Sequence, residues 1–92
     1  MTNLKETLYN VACALVETPD EVTVLETVDG DTVNLVLSVA ADDMGMVIGK
    51  HGKIAKAIRT VMKAAAVIAD VHVRVDILDK DELDAEGSSE EN

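Results

Sequence analysis

The spacing of aliphatic residues changes period three times along this chain, and that alternation narrows the fold more than any single residue does. Leu4, Leu8, Val11 and Leu15 recur at helical intervals, with Ala12 and Val16 widening the stripe. An amphipathic helix over about 4–17 is predicted. Asn3 and Glu6 are the residue types of a capping box, and Pro19 biases Thr18 away from helix, so both ends are marked. From Val22 the period drops to two: Val22, Val24 and Val28 alternate with Thr23, Leu25 and Thr27, Glu26 being the exception. Val33, Leu35, Leu37 and Val39 repeat the pattern, and Asp29-Gly30-Asp31 between the runs offers a glycine free to take a positive φ. The pair reads as a β-hairpin. Helical spacing returns with Met44, Val47 and Ile48, for which Asp42 and Asp43 are the expected N-cap and source of negative charge. It stops at Gly49 and resumes after Gly52 with Ile54, Ile58, Val61, Met62 and Ala65, the first three expected in the core. Val71, Val73, Val75 and Ile77 then alternate in a third strand.

The order α-β-β-α-α-β, with strands polar on one side, implies an α+β fold: a two-layer α/β sandwich whose three-stranded sheet is covered by helices on one face. Ninety-two residues hold one such core, expected over 1–78. Residues 79–92 carry seven acids against one base and read as an acidic disordered tail, a solubility segment or a competitor for cations elsewhere in the chain. Cys13 is the single cysteine, so no internal disulfide can form and a cytoplasmic location is expected. The longest apolar run, Ala64 to Ala69, is far short of a membrane span, and the first nine residues hold no apolar signal core.

A formal charge of −10 excludes a generally basic nucleic-acid binder, and the absence of Trp and Phe excludes aromatic stacking platforms. Locally the picture reverses. Five of the eight basic residues, Lys50, Lys53, Lys56, Arg59 and Lys63, fall in one stretch, and no acid occurs between Asp43 and Asp70. Charges farther than about 8 Å are largely screened at physiological salt, so such a patch can attract phosphate despite the total. In its middle lies Gly49-Lys50-His51-Gly52. Two glycines allow close backbone approach, and a helix beginning after Gly52 would aim amide donors along that path.

The element order, with Val47-Ile48-Gly49-Lys50-His51-Gly52-Lys53-Ile54 at its centre, resembles the type II KH domain of bacterial RNA-binding proteins. The short chain and the Ala-rich helix that follows resemble the small single-KH family called KhpA. That resemblance implies a cleft for about four single-stranded nucleotides clamped at the backbone by the loop. Gly49, Lys50, His51 and Gly52 would hold phosphates, and Val47, Ile48 and Ile54 would form an aliphatic floor for bases. Charge and helical spacing add Lys53, Lys56 and Arg59. The resemblance further implies self-association as a homodimer, pairing with a larger Jag/KH-domain protein of the KhpB kind, and a role as RNA chaperone or post-transcriptional regulator in cell elongation and division.

Blander readings apply elsewhere. Lys63, almost three turns past the loop, reads as solvated surface, as does His72, and Gly45 with Gly49 read as packing and turn glycines. Cys13 reads as a small core or boundary residue. The run from Gly45 is one residue short of a P-loop and has His51 where magnesium would need Ser or Thr. With no Ser-His-Asp order and no zinc-type spacing, neither catalysis nor a cofactor or metal is expected. The competing function is a protein-interaction adaptor on the same scaffold, favoured by the net charge.

Overall fold

The computed structural model describes residues 3–79, except the side chain of Lys50. Asn3 caps the first helix as its type suggests. Its Oδ1 accepts the Glu6 N–H at 3.1 Å and its carbonyl accepts the Thr7 hydroxyl at 2.9 Å. Helix α1 (Leu4–Leu15) buries Leu4, Leu8 and Ala12 and ends two residues short of the predicted range 4–17. Pro19–Glu21 forms one 3-10 turn.

Strands β1 (Thr23–Asp29) and β2 (Thr32–Val39) pair antiparallel in the register Asp29↔Thr32 to Thr23↔Ser38. Only Gly30, at φ 63°, is left-handed in the two-residue connection, as a type II′ hairpin requires. Strand β3 (His72–Asp79) joins β2 in parallel, from Thr32↔His72 to Val39↔Asp79. The sheet order is β1-β2-β3. A tight turn returns a strand antiparallel, whereas the long helical crossover after β2 delivers its strand parallel. The His72 N–H donates to the Asp31 carbonyl at 2.8 Å and ties β3 to the hairpin.

Helix α2 (Ala41–Ala69) corrects two expectations. Neither Asp42 nor Asp43 caps it. Val39 and Ala40 are drawn into the core, so the helix begins at Ala41 with Ala40 in the cap position and no side-chain bond there. Asp43, only 3% exposed, instead accepts the Glu17 N–H on Oδ1 and the Thr18 N–H on Oδ2, both at 3.1 Å. Its carboxylate holds the α1 exit against α2.

The second correction concerns the expected pair of helices. Helical turns follow one another through 41–69 with no gap, because no Ser, Thr, Asp, Asn or Pro stands between Val47 and Lys53 to stop one helix and cap another. The break is conformational. His51 at φ 64° and Gly52 at φ 70° are consecutive left-handed residues, and a right-handed screw cannot run through them unbent. The element is two right-handed halves, 41–50 and 53–69, meeting at that pair. Asp70, at φ 59°, ends the second half, with its N–H on the Val67 carbonyl (3.2 Å) and the Val71 N–H on that of Ala66 (3.0 Å).

Both helices lie on one face of the sheet. Leu8, Ala12, Leu35, Leu37, Val47, Ile58, Met62, Val75 and Ile77 make the core between the layers. Ala55, Ile58, Met62 and Ala66 set the buried line of α2, with Ile54 half-buried against the core, and leave Val61 exposed, against its expectation of core. Val28 and Glu26 are also exposed, Glu26 at a groove that it lines with Leu4 of α1 and Ile68 and Ala69 of α2. Asp79, expected in the tail, is the last residue of β3, and the rest of that segment lies outside the described residues.

Candidate nucleic-acid interface

The left-handed pair gives the Gly49–Gly52 turn its shape. A right-handed residue followed by left-handed ones turns successive backbone N–H groups into a shared concavity of the kind that holds anions. Gly52 needs to be glycine for its φ. Gly49 does not: its φ is not left-handed, and a Cβ added there meets nothing within 4 Å. Alanine would suit the helix better by roughly 0.5–1 kcal/mol. The missing Cβ therefore keeps clear a space outside the protein. Gly45, one turn earlier, also has nothing against it, which corrects its reading as a packing glycine.

Past the turn, Lys53, Lys56, Thr60 and Lys63 follow at intervals of three and four, forming one exposed stripe on the 53–69 half. The Thr60 hydroxyl donates back to the Lys56 carbonyl at 2.9 Å, leaving the lysines to project. Arg59 points elsewhere. Its Nε donates to the Val75 carbonyl at 3.1 Å, on the side of β3 away from β2. Both partners line a groove of about 270 Å³ between α2 and β3, together with Lys63, Val73, Arg74 and Asp76.

The sequence-proposed residues separate in this frame. The backbone of Gly49, Lys50, His51 and Gly52 forms the turn, with Lys53 and Lys56 exposed beside it and Arg59 at the groove. Ile48, 49% exposed, and the half-buried Ile54 offer apolar surface next to the turn. Val47 does not. At 1% exposed it belongs to the core and offers no surface to a base, against its expected place in the floor. Sequence reasoning missed Arg74 and set Lys63 aside; only the parallel docking of β3 beside α2, a long-range event, brings the two together with Arg59.

Among the described residues no group of His, Cys, Asp or Glu could hold a metal ion, and no helix is long and apolar enough to cross a membrane. No solved structure gives a significant match. The family described as "KhpA/KhpB, KH domain" matches residues 5–77. "RNA-binding protein KhpA" of Clostridium acetobutylicum is 52% identical over 75 residues, covering 82% of this chain and all of that protein. The protein of the same name from Halalkalibacterium halodurans is 49% identical over 76 residues, 83% of this chain and all of its own length. That of Treponema pallidum is 40% identical over 79 residues, 86% and 99% of the two chains. The turn, the helices around it and the sheet beneath all fall inside the matched region, and this chain belongs to the KhpA/KhpB KH-domain family.

Proposed function

We propose that this protein is a single-stranded RNA-binding module, not an enzyme, which clamps the RNA backbone at Gly49–Gly52 and lays bases against Ile48 and Ile54. The observation that carries the reading is the left-handed pair His51-Gly52 in a lysine-bearing stretch that holds no acid from Met44 to Ala69, beside a Gly49 whose absent side chain faces open space. Phosphate suits all three features: amide donors, nearby cations, and no Cβ in the approach path. The relatives' shared name, RNA-binding protein KhpA, supports the same ligand. Because the groups are few and the whole chain carries −10, binding is modest, and it weakens as salt rises. The cytoplasm is the compartment such a ligand implies.

The test is a titration of labelled single-stranded RNA with the wild type and a Gly49→Asp, Gly52→Asp double variant, each checked by circular dichroism. Each new carboxylate sits where a phosphate is expected, at a cost on the order of 1 kcal/mol, so affinity drops roughly tenfold or more. Equal affinity would overturn the clamp.

Self-association belongs to the same reading. Ile68, 78% exposed, lines a groove of about 890 Å³ with Leu4, Val33 and Val71, and its equally exposed neighbour Val67 adds bare aliphatic surface at the same helix end. This surface lies at the opposite end of the 53–69 half from the turn, so a second copy seated there leaves the RNA site open. Two linked modules raise the effective concentration of each for one RNA. Pairing with a larger Jag/KH-domain protein, and a role as RNA chaperone or regulator of cell elongation and division, extend the proposal.

A further inference from the structure

We propose that the acidic segment 80–92 is a competitor of RNA carried on the same chain: its carboxylates lie against the cations that follow the Gly49–Gly52 turn, and RNA must displace them to bind. The inference rests on the RNA-binding reading and adds its regulation.

Charge gives the first argument. Lys53, Lys56, Lys63 and Arg74 have no ion-pair partner among the described residues, and Asp76 is the one acid on the groove of Arg59, Lys63 and Arg74. Segment 80–92, outside the described residues, holds Asp81, Glu82, Asp84, Glu86, Glu90 and Glu91 against Lys80 alone. A row of unneutralised cations and a run of acids on one chain attract wherever they come within a Debye length.

Position gives the second. The 53–69 half rises about 24 Å and β3 about 23 Å, and the tight link through Asp70 and Val71 makes them run in opposite directions. The bond from Arg59 to Val75 fixes their alignment, about 9 Å along the helix from Lys53 and about 13 Å along the strand from Asp79. The strand therefore ends level with the turn. Thirteen further residues reach about 20 Å as a coil and at most about 43 Å extended, enough for every cation on the stripe. So short a tether holds its acids at roughly millimolar effective concentration. Carboxylates can replace phosphates at lysines but bring nothing to Ile48 and Ile54. Every polyanion must displace the segment, and only one that also places bases on that apolar surface has contacts to offset the loss.

The experiment keeps the full chain and exchanges the six acids for Asn or Gln. They lie outside the family match, which ends at residue 77, so circular dichroism should report an unchanged fold. Without RNA, the amide resonances of Lys53, Lys56, Lys63 and Arg74 should differ between wild type and this neutral-tail variant, while those around Lys5 on α1 stay in place. A labelled oligouridylate nonamer should bind the variant roughly fivefold more tightly at low salt, as for a few exposed ion pairs no longer in competition, and the gain should fade as salt rises. Equal affinity at low salt would overturn the competitor. Tighter binding with unmoved resonances would overturn it too, since that marks repulsion at a distance without contact. Adding Gly49→Asp and Gly52→Asp to the neutral-tail chain separates the two readings. If that chain binds RNA as its parent does, the clamp fails, and the contact of segment 80–92 stands or falls on the resonances.

Discussion

Gly49 is the residue at which stability and binding pull apart. Its φ is not left-handed and nothing lies near its Cβ direction, so Gly49→Ala should stabilise the protein by roughly 0.5–1 kcal/mol and raise Tm by a few degrees. RNA affinity should fall at the same time, because the new methyl group stands in the path of the phosphate. A thermal melt and an RNA titration on one sample check both signs, and a variant that gains stability with no loss of affinity would show that this position faces no ligand. Residue identity made the turn legible: two glycines three apart among lysines can be read without coordinates. It did not reveal that Val47 is core while its neighbour Ile48 is surface, because that depends on how the 41–50 half is rotated against the sheet.

At the scale of elements, the periodicity of aliphatic residues was enough to place all three strands, the hairpin turn and the line Ile58–Met62, since each follows from local spacing. The role of Asp43 was not legible. Its partners, Glu17 and Thr18, are 26 and 25 residues away and meet it only once α1 and α2 share a core. Removing the carboxylate leaves two backbone donors without their acceptor in a part-buried place, at about 3 kcal/mol together, or a Tm lower by roughly 15 °C. Asp43→Ala should therefore be severe, whereas Asp42→Ala, exposed in the same first turn, loses only a helix-dipole interaction of about 0.5 kcal/mol. Similar melts for the two variants would show that Asp43 acts by charge alone. The single α2 element has the same explanation: local sequence lacked a stop signal, and the left-handed pair is a backbone property that residue types only permit.

For the whole molecule, charge and apolar surface are segregated along the 53–69 half, with cations from the turn to Lys63 and bare aliphatic side chains at Val67 and Ile68. If pairing uses that apolar end, Ile68→Lys should convert an associated species to monomer in sedimentation velocity. Stability should change by less than about 0.5 kcal/mol, because Ile68 contributes little to its own core. Association unaffected by the exchange would move the contact to another face. From Gly52 to Ile68 is sixteen residues, a rise of about 24 Å. Two copies fastened end to end there would carry their grips on RNA up to about 50 Å apart and facing outward, so that the pair would bridge two separate stretches of a transcript, bringing distant segments together instead of reading one longer word.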